Sequence, residues 1–332
     1  MNDDTRFRAF RIRNDDGGYR AAVQDMAVDE LTPGEVLVKV AYSSVNYKDA
    51  LAGTGKGKIL RRHPLNGGID VAGYVAASTD PALREGDQVL CTGCGLSEVR
   101  DGGYAQYARL EAKWTIPLPA GLTLREAMIL GTAGFTAALS LYRMQQNGQT
   151  PELGPIVVTG ATGGVGMLAI DLLTRAGYEA HAITGKVDHF DDLIALGARQ
   201  CIARTDLHWG QRPLEAARWG GAIDNVGGDM LAGLTRVVHP YGNIASCGNA
   251  ASIDLATTVI PFIIRGVSLL GIASAGTARA IRDDIWRYLA DDWKPAHLEK
   301  IAMREIGLDG LGGVFDAMLG GGSYGRTLVR LD

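Results

Sequence analysis

The chain has 332 residues, 46% of them apolar and 21% charged, which is enough for about two domains and too apolar for wholesale disorder. Lys plus Arg at 33 against Asp plus Glu at 37 leaves a formal charge of −4 with no basic stripe, which argues against nucleic acid as a partner. Four cysteines, Cys91, Cys94, Cys201 and Cys247, are too few and too unevenly placed for a disulfide framework, so a reducing, cytoplasmic setting is expected.

The opening MNDDTRFRAF carries acids where a secretory signal carries bases, and it lacks an apolar segment. The longest uncharged stretches, 127–142 and 153–170, are interrupted by Gly, Thr and Ser, so no membrane association is expected. Glycine stands out at 45 residues and points to tight turns and close backbone approaches.

From Phe7 to about Pro119 the chain reads as short β-rich runs, at 36–42, 71–77, 88–91 and 104–110, separated by turns. Spacing alone leaves barrel and sandwich equally open. After the first of these runs comes the polar cluster Ser43-Ser44-Val45-Asn46-Tyr47-Lys48-Asp49. Asn46 has two readings, a helix cap or a site residue. At such a strand-to-helix corner, Tyr47 could stand beside a bound nicotinamide and offer its phenol to a developing enolate, with Asn46 and Asp49 as neighbouring catalytic candidates.

At Leu124 the periodicity turns helical, and β/α alternation follows to about residue 260, with strands at 156–159, 179–184, 200–203, 221–225 and 243–247. Apolar strands at that rhythm predict an α/β fold with a parallel sheet covered on both faces. The tail, with an amphipathic helix near 278–289 and a last strand at 327–331, is expected to rejoin the first domain.

The first of these strands, Ile156-Val-Val-Thr159, runs into Gly160-Ala161-Thr162-Gly163-Gly164-Val165-Gly166, followed by the apolar helix pattern Met167-Leu-Ala-Ile. Strand, glycine turn and helix together favour a dinucleotide, because unpartnered N–H groups at the helix head attract a pyrophosphate and absent side chains let it approach. A turn with glycines for packing alone is the alternative. NAD-preferring folds place an acid at the end of the second strand. Here it ends Thr184-Gly185-Lys186, a hydroxyl and a cation that suit the 2′-phosphate of NADPH, unless Lys186 is only a solvated loop residue. Arg199 is a second candidate for that phosphate.

Cys91-x-x-Cys94 is half of a zinc site without its second half, since Cys201 and Cys247 stand singly with no His nearby. No metal is expected, Cys91 and Cys94 read as strand-end thiols, and none of the six scattered His is a strong general-base candidate.

The ordered set of Asn46-Tyr-Lys-Asp49, Thr54-Gly-Lys-Gly-Lys-Ile59, Gly68-Ile-Asp-Val-Ala-Gly73, Gly86-Asp-Gln-Val89, Gly131-Thr-Ala-Gly-Phe-Thr-Ala137, the Gly160 to Gly166 turn, Arg212-Pro-Leu214, the run from Val259 to Gly266 and Gly325-Arg-Thr-Leu328 resembles the medium-chain dehydrogenase/reductase superfamily. Within it, the likeness is to the zinc-free quinone oxidoreductase branch that contains acrylyl-CoA reductases. That resemblance implies a GroES-like β-barrel catalytic domain from 1–124 and 262–332, a Rossmann doubly wound domain over 125–261, and NADPH as coenzyme. It implies coenzyme contacts from Tyr47, Thr162, Gly163, Gly164, Val165, Thr184, Gly185, Lys186 and Arg199, with Cys247, Ile263 and Ser274 near the nicotinamide. It also implies a homodimer paired through an edge strand running from Ile260 to Ile272. Metal ligands of the zinc-dependent relatives are absent, since Gly68-Ile69-Asp70 stands where they carry Gly-His-Glu.

The chain departs from subfamily relatives at Lys186, where Arg is usual, and at Gly67, Asn249 and Ala273. Lys keeps the charge without the planar fork. The expected reaction is NADPH-dependent reduction of an α,β-unsaturated thioester, acrylyl-CoA, with Tyr47 or water protonating the α-carbon. Lys56, Lys58, Arg61 and Arg62 would meet CoA phosphates or form an exposed basic loop. The alternatives are a quinone or enone reductase and, from another class, an NADPH-binding sensor without turnover.

Overall fold

The computed structural model describes residues 5–331. The chain forms two compact units, one made of the chain up to Thr132, Ala275–Asp284 and the segment from Leu298 onward, the other of Ala133–Ser274 and Ile285–His297.

In the first unit β1 (Arg6–Asp15) and β2 (Gly18–Ala27) form an antiparallel hairpin. Then follow β3 (Val36–Ser44), the short helix α1 (Tyr47–Thr54), β4 (Leu65–Asn66), β5 (Asp70–Ser78), β6 (Gln88–Thr92), β7 (Tyr107–Leu110) and β8 (Ile116–Pro117). The helix α2 (Leu124–Gln146) starts where the sequence period changes, but the division between units falls within it, between Thr132 and Ala133, and not at its first residue. Gly131, with φ 49° and ψ −152°, breaks it into two pieces at that point.

In the second unit β9 (Ile156–Thr159) is wholly buried and leads to α3 (Gly164–Arg175). There follow β10 (Ala180–Thr184), α4 (Phe190–Ala195), β11 (Ala198–Ala203), β12 (Trp219–Asp224), α5 (Gly228–Val237), β13 (Val238–Ser246), α6 (Ile260–Arg265) and β14 (Ser268–Gly271). All neighbours pair parallel in the order β11-β10-β9-β12-β13-β14. The strand order reverses beside β9, and in such sheets ligands bind beyond the carboxyl ends of the strands at the reversal.

One expected strand is corrected. The run from Ile260 is helical to Arg265, and only Ser268–Gly271 is strand. Pro261 has no N–H to give a ladder but suits a helix's first turn, and Gly266, at φ 60°, ends that helix in the left-handed region. The strand that remains, β14, is an edge of its sheet.

The helix α7 (Arg279–Ala290) begins in the first unit and ends in the second, and α8 (Leu298–Ile301), β15 (Ala302–Ile306), α9 (Leu311–Leu319) and β16 (Arg326–Arg330) complete the first. Its larger sheet runs β15-β16-β3-β5-β6-β8 with β7 also on β3, beside the smaller β2-β1-β4. Ile12, Val38, Val71, Val89, Phe315 and Val329 fill the core of this unit. Antiparallel pairing sets Leu328 opposite Ser44 and so carries Arg326 to the start of α1. No helix among the described residues is long and apolar enough to cross a membrane.

Candidate functional site

The glycine turn of the second unit is built largely from backbone. Gly160 takes φ 59°, the Gly163 N–H donates to its carbonyl at 2.9 Å, and Ala161 N–H ties the turn to Ile183 O of β10 at 3.1 Å. A Cβ on Gly166 would lie 2.5 Å from Gly160 O and 2.7 Å from Ala161 Cα, so only glycine lets the helix pack this close to the strand. At Gly163 no side chain covers the head of α3, where the first-turn N–H groups of Gly164 and Val165 have no intrahelical acceptor. That head, open and rich in donors, fits the pyrophosphate of a dinucleotide.

Thr162 and Thr184, both buried, join hydroxyls at 3.1 Å, and Thr184 Oγ1 also accepts Lys186 N–H at 3.1 Å. The turn is thereby fixed to the end of β10, where Gly185 is exposed and burial lowers the Lys186 pKa. Sequence reasoning missed Arg204, which directly follows β11: its guanidinium lies over Gly185, 3.4 Å from where a Cβ would stand. Arg199, in contrast, is the second residue of β11, at the opposite end of a parallel sheet, level with the start of β10. It is not brought to the turn. Neighbouring strands in parallel register end together, so the residue just after a strand was the one to choose.

On the other side of β9, Thr159 Oγ1 donates to Asp224 Oδ1 at 2.7 Å, and Asn225 Nδ2 donates to Thr159 O at 2.8 Å. Cys247, just past β13, donates its thiol to Asp224 O and Asn225 Oδ1, both at 3.2 Å. Burial pushes that thiol up to about 12, so it stays a protonated hydrogen-bond donor at this rim. Ser274 lies three residues beyond β14, in the turn Ser274–Gly276. Ile263 lies elsewhere: α6 is anchored through Arg265, which donates to Arg236 O at 2.9 Å and to Val238 O at the start of β13, away from the glycine turn.

The first unit carries a cluster made of side chains. Asp70, fully buried at the start of β5, accepts Ser44 Oγ at 2.6 Å, Asn46 Nδ2 at 2.8 Å, and Thr132 N and Oγ1 at 3.0 and 2.6 Å. Arg326, 3% exposed, places Nη2 3.8 Å from Asp70 and donates to Ser44 Oγ at 2.6 Å, Asn46 Oδ1 at 3.1 Å, Val45 O at 2.9 Å and Ile129 O at 3.0 Å. Gly131 admits this arrangement, because a Cβ there would stand 2.6 Å from both Asp70 Oδ2 and Ser44 Oγ.

Asp49 accepts the Asn46 N–H at 2.9 Å, Asn46 Nδ2 at 3.1 Å and Ile69 N–H at 3.0 Å. Both donors of the Asn46 amide are therefore engaged by carboxylates. Burial first, and then the charge of Asp70, pushes the Asp49 carboxyl up to about 7. Tyr104 stands beside the cluster, donating to Ser44 O at 3.2 Å, and its buried hydroxyl is held well above the ordinary tyrosine range. Tyr47 differs from all of these: it opens α1 next to Asn46 and is 43% exposed. Among the described residues, no cluster of three or more His, Cys, Asp or Glu is placed to hold a metal ion.

A nucleotide-binding α/β unit and a β unit with a buried polar cluster define an oxidoreductase of the dinucleotide-dependent kind. Residues 32–120 match the alcohol dehydrogenase GroES-like domain. The chain is 43% identical to the putative quinone oxidoreductase YhfP of Bacillus subtilis, over 98% of this chain and 99% of that protein. It is 42% identical to the probable acrylyl-CoA reductase AcuI of Escherichia coli, over 98% and 100%. Among solved structures it superposes on the yhdH oxidoreductase of Salmonella enterica in complex with NADP, with TM-score 0.94, 43% identity and coverage of 98% and 100%. It superposes equally on Bacillus subtilis yhfP with NAD bound, with TM-score 0.95, 42% identity and coverage of 99% and 100%. The chain belongs to the medium-chain dehydrogenase/reductase superfamily, in the group of these quinone oxidoreductase and acrylyl-CoA reductase relatives.

Proposed function

We propose that the protein reduces the carbon–carbon double bond of an α,β-unsaturated thioester, acrylyl-CoA to propionyl-CoA, with NADPH. The observation that carries this reading is the open glycine turn at the head of α3 with Lys186 and Arg204 beside the neighbouring strand ends and no acid closing β10. A relative named acrylyl-CoA reductase and a neighbour solved with NADP support it.

When bound, the coenzyme supplies a hydride for the β-carbon. The N–H groups of Gly164 and Val165 hold the diphosphate, Thr162 and Thr184 fix the turn, and Lys186 and Arg204 take the 2′-phosphate. Tyr47, whose ring is exposed on the first turn of α1, donates a hydrogen bond or proton to the developing enolate. Asn46 and Asp49 hold α1, and with it Tyr47, against Asp70. The exposed Lys56, Lys58, Arg61 and Arg62 form the cationic surface for CoA phosphates. The protein works in the cytoplasm without zinc, as a homodimer: the edge strand β14 with exposed Ile260, Ile263, Ile264 and Leu269 offers an apolar face to a second copy. Sedimentation at twice the 35.2 kDa chain mass is the expected result, and a monomer contradicts it.

The test follows coenzyme oxidation with acrylyl-CoA, small enones and quinones, each with NADPH and NADH. Fastest turnover is expected for acrylyl-CoA with NADPH. The relative named quinone oxidoreductase and the neighbour holding NAD make quinone and NADH the competing arms. In Tyr47→Phe, kcat is expected to fall by roughly tenfold or more with coenzyme affinity unchanged. An unchanged kcat removes Tyr47 from the chemistry.

A further inference from the structure

Two of the four cysteines sit together in a place the proposed reaction does not use. Cys91 is the fourth residue of β6, and Cys94 follows two residues after that strand ends, in the sequence Cys91-Thr92-Gly93-Cys94. Both are free thiols, and each is near enough to shift the other's titration. They face different surroundings. Cys91 is 2% exposed and belongs to the core of the first unit, whereas Cys94 is only partly buried.

The backbone holds the pair in place. Gly93, Cys94 and Gly95 take φ of 68°, 53° and 83°, three left-handed residues in succession, and Leu96 N–H closes the turn on Gly93 O at 3.0 Å. Gly93 N–H is fixed to Ile69 O at 2.7 Å and Cys94 N–H to Ala275 O at 3.2 Å. A left-handed conformation is costly for a residue with a Cβ and persists where the surroundings over-determine it. Here the hydrogen bonds of Gly93 and Cys94 hold Cys94 in that conformation just past the end of β6, two residues beyond the strand that carries Cys91.

We propose that Cys91 and Cys94 form a reversible dithiol–disulfide site whose oxidant is a low-molecular-weight disulfide. Cys94 is the attacking thiol. The neighbouring Cys91 thiol first, then the positive charges of Arg282 and Arg100, holds its pKa below the ordinary thiol range, against burial and Glu111. Cys91, beside Cys94 and desolvated, is held well above it and remains protonated until it resolves the intermediate. The Cys94 thiolate attacks one sulfur of RSSR, forming a Cys94–S–S–R bond and expelling RS⁻. Cys91 then gives its proton to solvent and attacks the Cys94 sulfur, forming the Cys91–Cys94 bond and expelling a second RS⁻. Two protein thiols are oxidised and one small disulfide is reduced to two thiols. Cys201 and Cys247, each alone and each raised by burial, are internal controls.

The experiment exposes the folded full-length chain to glutathione disulfide, quenches with an alkylating agent and digests with trypsin, which leaves both cysteines in the peptide 85–100. The expected product is that peptide lighter by two hydrogens and unalkylated, with Cys201 and Cys247 alkylated and dithiothreitol restoring both thiols. Cys91→Ala is expected to stop at a glutathione adduct on Cys94, and Cys94→Ala to show no oxidation in this peptide. Circular dichroism confirms that each variant is folded, and the wild-type result stands without them. Alkylation of both Cys91 and Cys94 in the treated wild type, or a Cys94–glutathione adduct that never resolves, overturns the proposal.

Discussion

The glycine turn of the second unit and the Asp70 cluster of the first make opposite use of polar groups. The turn is backbone whose donors at the head of α3 point away from the helix they begin, and its closest approach is Gly166 against Gly160 O and Ala161 Cα. The cluster is side chain against side chain: the buried Asp70, Ser44 and Arg326 bond one another and the half-buried Asn46 and Thr132. A site with donors to spare receives a ligand, whereas a buried site with every donor engaged holds a shape. On the proposed function, the exposed Tyr47, carried on that shape, is the reacting group of the first unit, with Asn46 and Asp49 as its support.

The sharpest way to break this contrast is Asp70→Ala, which leaves the Arg326 charge buried without its carboxylate partner. Removing one member of a buried pair costs about 3–5 kcal/mol, so the urea midpoint should fall by that equivalent. A loss below about 1 kcal/mol would mean that water already reaches the cluster. Next in size is Gly166→Ala. Its Cβ meets backbone at 2.5 Å, so helix and strand must separate, at roughly 1–3 kcal/mol and with weakened NADPH binding measured by fluorescence titration. Unchanged stability and affinity would show that the turn yields freely.

The smallest effect is a pH dependence. With its folded pKa raised to about 7, Asp49 binds its proton more tightly in the folded state than in the unfolded chain. Its contribution is therefore fully present below the unfolded carboxylate value near ~4 and is lost as pH rises through about 7. Asp49→Asn removes the titration, so the stability difference between variant and wild type should move in the variant's favour from pH 5 to pH 8. An offset equal at both pH values would contradict a raised carboxyl.

Legibility followed the same division. The strand, the glycine turn and the start of the helix lie within eleven consecutive residues, 156–166, so they were legible as one local pattern, and β9 begins and ends where the pattern put it. The cluster was out of reach. Arg326 meets Ser44 across 282 positions and Thr132 meets Asp70 across 62, and no local pattern encodes such pairings. The motifs Gly68-Ile-Asp70, Gly131-Thr132 and Gly325-Arg326 were visible as separate marks, but only the fold assembles them. Arg204 escaped for a nearer reason: residues at one rim of a parallel sheet follow the strand ends, and β11 begins two residues before the expected start while ending at Ala203, which puts Arg199 near its beginning and Arg204 just past its end. The helix at Ile260–Arg265 hid behind apolar residues that suit strand and helix alike, with Pro261 and Gly266 as the deciding signals.

Calorimetric titration of NADPH and NADH into the wild-type chain and Arg204→Ala tests the central claim most directly. The account predicts that the wild type binds NADPH tighter than NADH by roughly tenfold or more, the worth of a charged hydrogen bond, and that Arg204→Ala loses that preference while keeping its NADH affinity. No heat with either coenzyme, or equal affinity for both in the wild type, would contradict it.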